Sequence, residues 1–181
     1  MTIRFDLPNG FRLRPLEEAD AEPLFRLVQA NRGYLAEWLP WAAAESRVET
    51  HLEFIRASQQ QHADDNGFQA AILDGDEIVG VIGFHRVDWV NRATSIGYWI
   101  GAANQGRGIV TEAVRALTAY AFDVWDLNRV EIRAATGNGR SAAIPLRLGF
   151  VEEGVARQSE RHGDSFKDLA VYSMLAADWP G

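Results

Sequence analysis

Ser95-Ile96-Gly97-Tyr98-Trp99-Ile100-Gly101, followed by Asn104-Gln105-Gly106-Arg107-Gly108-Ile109-Val110-Thr111-Glu112-Ala113, is the stretch from which the fold can be read. Ile96, Tyr98 and Ile100 alternate with smaller or oppositely facing residues, the period of a sheet strand. Gly106 and Gly108 admit backbone angles and close approaches that a side chain would block. From Ile109 the apolar spacing turns helical, with Val114, Leu117, Ala121 and Phe122 on one face. Outward-pointing amides at a helix N-terminus form an anion site, so this loop is expected to hold phosphate. No Gly-Lys-Ser/Thr ending is present, which excludes the nucleotide-triphosphatase loop. Thr111 stands where the third glycine of the dinucleotide fingerprint belongs, which excludes that motif too.

Whole-chain properties narrow the ligand classes. A length of 181 residues predicts one domain over 1–181, with ample chain for a core. The formal charge of −7 argues against nucleic acid, whose binding rests on Lys and Arg neutralising phosphates, and is compatible with a cationic acceptor such as an amine. No apolar run approaches the ~20 residues of a bilayer span, and residues 1–10 lack the basic and apolar blocks of a secretion signal. The absence of cysteine excludes disulfides and thiol chemistry and fits a cytoplasmic protein. His51, His62 and His85 have no paired spacing suggestive of a metal site, and no metal is expected.

Outward from the central stretch, the chain alternates between two periods. Gly10 to Leu16 reads as a strand, and Asp20 as the cap of a helix bearing Leu24, Leu27 and Val28 that Asn31-Arg32-Gly33 closes. Tyr34 to Trp41 is an aromatic connector without helical order. Ser46-x-x-Glu49 reads as a capping box opening a helix with Val48, Leu52 and Ile55, whose Gln59 to His62 end is a solvated face. Phe68–Leu73 and Ile78–Phe84 are strands joined by the Asp74-Gly75-Asp76 turn. After the central strand and a helix of about 108–125 come a strand (Val130, Ile132, Ala134), a short helix within 140–148 and a strand pair flanking 160–167. The helical crossover makes the central strand and the Val130 strand parallel neighbours.

Gln105-x-x-Gly108-x-Val110 resembles motif A of the GCN5-related N-acetyltransferases (GNAT), where loop amides grip the acetyl-CoA pyrophosphate. Val110 departs from the usual Gly or Ala. The β-α-α-β-β-β-α-β-α-β-β order is similar to the GNAT fold over nearly the whole chain: an α/β domain with a mixed, mostly antiparallel sheet, helices on both faces and two splayed parallel strands. Asn138-Gly139-Arg140-Ser141 with Leu148-Gly149-Phe150, the Trp38 to Trp41 stretch, and Glu160-Arg161-His162-Gly163-Asp164 resemble the RimJ/RimL branch, which acetylates N-terminal amines of ribosomal proteins.

The resemblance implies an acetyl-CoA-dependent N-acetyltransferase working by direct transfer. Trp99 and Ile100 are expected to hydrogen-bond the pantetheine arm through their backbones, Gln105, Gly106, Arg107, Gly108, Ile109 and Val110 to hold the phosphates, and Asn138 to bond the arm. Glu160 is implied as the base, against its bare reading as a solvated hairpin charge. His162 is the competing base or an acceptor contact. Ser141 is implied as the hydrogen-bond donor to the leaving thiolate, since Pro145 occupies the slot where many GNATs carry tyrosine; capping its helix is its alternative role. Pro145 also removes the amide that would bond the Ser141 carbonyl, which predicts an irregular first turn. Trp38 and Trp41 read either as core or as an acceptor-site wall. Members of this branch are often homodimers. A small-molecule amine acetyltransferase and a non-catalytic acyl-CoA-binding domain remain open beside the protein N-terminus reading.

Overall fold

A computed structural model describes residues 3–8 and 10–181. Within these residues eight strands form one sheet in the order β1-β2-β3-β4-β5-β6-β8-β7. The strands are β1 (Phe5–Asp6), β2 (Arg12–Pro15), β3 (Gln69–Asp74), β4 (Glu77–Phe84), β5 (Ala93–Ile100), β6 (Arg129–Ala135), β7 (Val151–His162) and β8 (Ser165–Leu175). The helices are α1 (Ala21–Ala36), α2 (Pro40–Ala43), α3 (Val48–Ala63), α4 (Ile109–Asp123) and α5 (Gly139–Arg147). Among the described residues, only β5 and β6 pair in parallel, as the α4 crossover requires.

Side chains alternate across the sheet, so two cores form on its two faces. Val114, Leu117 and Ala121 of α4 are fully buried with Ile82, Ile96 and Ile132 beneath them. On the other face, Leu24 of α1 and Ile55 of α3 close over Ala71, Leu73 and Val81.

Parallel pairing stops early. It runs from Ala93↔Arg129 to Ser95↔Glu131, and β5 then continues from Ile96 to Ile100 without a partner on that side. Five residues of strand leave a gap about 16 Å long. This is the splay that the sequence resemblance implied.

Several local expectations are corrected. Asp20 gives α1 no side-chain cap: Arg14 donates to both its carboxylate oxygens at 2.6 and 2.7 Å, and the Glu17 amide donates to it at 2.8 Å in the capping box of a single 3-10 turn, Glu18–Asp20. Gly33 does not close α1, which runs on to Ala36 because Leu35 and Tyr34 pack with Val28, Ala42 and Trp99. That burial outweighs the ~1 kcal/mol cost of a helical glycine. The aromatic connector is therefore the last turn of α1 followed by α2, with Pro40 in its first turn. α3 starts at Val48 rather than after Ser46, whose hydroxyl instead meets Gln29 and His51. Gln59 and Gln61 are not merely solvated: they reach the carbonyls of Leu16, Phe84 and His85. β7 and β8 extend to a tight turn at Gly163, so Glu160 and Lys167 face each other in strands rather than in a loop.

Candidate active site

Gly106 and Gly108 both lie in the left-handed region, at φ 74° and 72°, and Gly108 is the residue from which α4 starts. An L side chain disfavours that region, so the two glycines are what lets the chain turn with its amides ahead of the helix. No heavy atom stands within 4 Å of where a Cβ would sit on either, which leaves the outer side of the loop open to a ligand. Arg140 of α5 reaches across and donates to Gln105 Oε1 at 2.6 Å, tying loop to helix. The residues here therefore fit a pyrophosphate through backbone donors.

Arg107 departs from its expected part. Its guanidinium donates to Asp74 at 2.9 Å and Asn104 at 2.8 Å, and lies 4.7 Å from the Phe11 ring centroid. Its charge is already paired at the rim, so what remains to offer a phosphate is its backbone amide.

The register on β5 corrects the expectation for Trp99. Gly101 N donates to Val79 O and His85 N to Ser95 O, and the pairs Val81↔Trp99 and Gly83↔Gly97 fall between them. Antiparallel pairs alternate strictly, so the Trp99 amide and carbonyl point at β4. Those of Tyr98 and Ile100 face the gap. Trp99 keeps only a side-chain part, its indole tilted against Trp41 with centroids 5.9 Å apart.

Beyond the glycine loop the gap opens into a cleft of about 1480 Å³, lined among others by Gly108, Tyr98, Trp38, Trp41, Ser141 and Glu160. Ile100, Gln105, Ile109, Val110 and Asn138 line it too. One continuous space thus joins nearly all the residues singled out from the sequence. Trp41 is 48% exposed and Trp38 half-buried, so both are walls rather than core.

Glu160 owes its place to two irregularities in β7. The register against β8 shifts between Glu152 and Gly154 and again between Ala156 and Glu160, and Gln158 sits at φ 49° with its amide held by Asp168 at 2.7 Å. Such bulges re-aim the side chains that follow. His162, two residues on, is not part of the cleft wall: its Nε2 donates to Ala36 O at 2.9 Å. It straps the β7–β8 hairpin to the end of α1, and Lys167 does the same through Glu37 O while lying 4.9 Å from the Trp38 ring centroid.

Asn138, not Ser141, caps α5: its Oδ1 accepts from the Ser141 amide at 3.1 Å. The Ser141 hydroxyl is thereby free of capping and lies 3.3 Å from the Tyr98 hydroxyl, which in turn lies 3.1 Å from the Ser141 carbonyl. Burial pushes the Tyr98 pKa up to about 12, against a lowering by Ser141, so the phenol stays neutral.

Two cleft residues escaped the sequence reading. His85 Nδ1 lies 2.9 Å from Ser95 Oγ, and its ring packs where a Gly97 Cβ would stand, 2.7 Å from Cε1 and Nε2. Part of His85 is open to the cleft, yet its ring is enclosed enough that burial lowers its pKa. The pair comes together only because β4 and β5 are adjacent antiparallel strands, and no spacing rule would have found it.

The comparisons with known proteins agree with this geometry. The acetyltransferase (GNAT) domain family matches residues 11–151, and the chain belongs to that family. It is an acetyltransferase of the N-acetylating kind. A Bacillus subtilis (strain 168) protein provisionally named ribosomal N-acetyltransferase YdaF is 43% identical over 170 residues, 93% of each chain. The microcin C7 self-immunity acetyltransferase MccE, solved with acetyl-CoA and AMP, is 30% identical with TM-score 0.88, covering 91% of this chain and 92% of that one. RimL, a ribosomal L7/L12 α-N-protein acetyltransferase solved with coenzyme A, is 28% identical with TM-score 0.85, covering 91% and 93%.

Proposed function

We propose that this enzyme transfers acetyl from acetyl-CoA directly to the α-amine at a protein N-terminus, most simply that of a ribosomal protein. The observation that carries the proposal is the unbroken cleft from the glycine loop, along the unpaired edge of β5, to the Trp38–Trp41 wall with Glu160 and Ser141 on its sides. RimL, named for a ribosomal α-amine, shares the fold over nearly its whole length, and its structure holds coenzyme A, the thiol that acetyl-CoA leaves behind. Acetyl-CoA supplies an activated acyl group whose leaving thiol has an ordinary pKa near 8.5.

In this reading the amides of Gly106 through Val110 hold the pyrophosphate, and Asn138 and the backbone groups of Tyr98 and Ile100 hold the arm. Holding the two reactants together accounts for most of the rate, up to ~7–11 kcal/mol when they are well aligned. Glu160 takes the proton from the amine, whose nitrogen forms the new C–N bond as the C–S bond breaks. The electron pair leaves on sulfur, where Ser141 donates a hydrogen bond to the thiolate. An α-amine suits a single carboxylate base. Its pKa of ~7.7–8.0, against ~10.4 for lysine, makes its neutral fraction at pH 7 several-hundred-fold larger, about 3 kcal/mol.

Acetyl transfer to two matched peptides, read by mass, tests the acceptor. One has a free N-terminus and no lysine; the other has a blocked N-terminus and one lysine. Labelling of the first alone supports the proposal, and labelling of the second alone overturns it. Glu160→Gln and Ser141→Ala each should lower turnover, by about 10²–10⁴ for loss of the base. A small-molecule reading has one observation in its favour, the likeness to MccE with its nucleotide ligand, and labelling of neither peptide would turn the assay to small amines. The branch resemblance also carries a cytoplasmic homodimer, for which light scattering in solution gives the mass.

A further inference from the structure

Pro145 leaves a defect in α5. It is buried within the helix and has no N–H, so the carbonyl four residues earlier, that of Ser141, loses its α-helical donor. The structure fills that vacancy from another element: the Tyr98 hydroxyl of β5 stands 3.1 Å from the Ser141 carbonyl oxygen. A phenol has one proton, and a carbonyl can only accept, so that proton belongs to the carbonyl. The remaining contact, 3.3 Å between Ser141 Oγ and the Tyr98 oxygen, must then have serine as its donor. One tyrosine therefore touches both the carbonyl and the hydroxyl of the same serine.

We infer that Tyr98 is the positioning residue for Ser141: its hydroxyl fixes the Ser141 backbone and holds the serine O–H beside the cleft until the departing thiolate accepts its hydrogen bond. Sequence supplies both halves of the device, Pro145 on the helix and Tyr98 on the strand, and the tertiary structure joins Tyr98 to Ser141 across 43 residues. The serine oxygen does not move when the thiolate forms; only its O–H turns from the Tyr98 oxygen to the sulfur. The neutral state of the partly buried phenol keeps this arrangement intact across the working pH range. Asn138 completes the placement by holding the Ser141 amide. This inference rests on the reading of Ser141 as the donor to the leaving thiolate.

The test is a set of variants assayed for kcat, KM for acetyl-CoA and melting temperature. Tyr98→Phe keeps the ring and removes the hydroxyl. It should lower kcat about five- to tenfold, the worth of one hydrogen bond, with little change in KM. In the Ser141→Ala background the same change should have no further effect on kcat, within about a factor of two. Pro145→Ala restores the missing amide, so in the Tyr98→Phe background it should return melting temperature without returning kcat. Equal losses from Tyr98→Phe in both backgrounds overturn the inference and leave the Ser141 reading standing. Recovery of kcat by Pro145→Ala also overturns it, since Tyr98 would then only mend the helix. If Ser141→Ala turns over like the unmodified enzyme, both readings fall.

Discussion

Replacing Gly108 by alanine isolates the backbone conformation of the glycine loop from its packing. Gly108 has φ 72° and ψ 0°, and an added methyl group would meet no heavy atom within 4 Å. The cost is therefore conformational, ~1–2 kcal/mol for an L-residue held in the left-handed region. Where that cost appears depends on the free loop. If the loop keeps its shape without ligand, the whole penalty falls on folding, a loss of about 2–8 °C in melting temperature for a chain of this size. If the free loop relaxes, the penalty falls on binding, and coenzyme A affinity drops about 5- to 30-fold. The two effects must sum to the same total, so calorimetric titration with coenzyme A and thermal unfolding are read together. Gly10 is the control: it has φ 83° and equally open surroundings but lies outside the cleft, so Gly10→Ala should lower stability without touching affinity. Gly108→Asn should do less harm than alanine, because asparagine tolerates this region better. No change in either quantity for Gly108→Ala would refute the argument. Greater harm from the asparagine would show that glycine is needed for close approach to the ligand rather than for its φ.

Asp20→Ala should destabilise the fold by ~3–5 kcal/mol in urea unfolding, since it leaves the Arg14 guanidinium uncompensated under α1. Arg14, held charged chiefly by its bond to Asp20, has no other carboxylate within salt-bridge reach among the described residues. Asn138→Ala should cost about 1 kcal/mol of stability through the lost cap of α5, and should also weaken coenzyme A binding if Asn138 bonds the arm. Glu153 is held down to about 2, first by Arg129 and then by Ser173. A depressed carboxylate contributes stability above its ordinary value of 4.5 and loses it as pH falls toward 2. Glu153→Gln should therefore be less stable than the unmodified protein at neutral pH and converge with it near pH 2; a gap that widens on acidification would contradict the assignment.

The elements that the sequence made legible are those whose period is set locally. The β3–β4 hairpin, the β5–loop–α4 unit and the long apolar face of α4 came out near their observed bounds, because alternation, helical spacing and turn glycines are properties of neighbouring residues. The same holds for the glycine loop, whose left-handed φ values are a demand that only a few residue types meet. Gly33 and Asp20 misled for the opposite reason. Their usual roles at helix ends gave way to Leu35 packing in one case and to the Arg14 ion pair in the other, both decided by residues on other elements.

The site divides in the same way. Glu160, Ser141, Asn138 and the two tryptophans were readable as residue types in motifs, and the sequence alone determined that they would be present. Only the tertiary structure decided what each can reach. Bulges in β7 turn Glu160 to the cleft while His162 straps α1, and strand register aims the backbone of Tyr98 rather than Trp99 into the gap. Pro145 announces a missing hydrogen bond in the sequence, but a sequence cannot say which donor replaces it. That depends on which strand lies beneath α5, a long-range contact that no local period encodes.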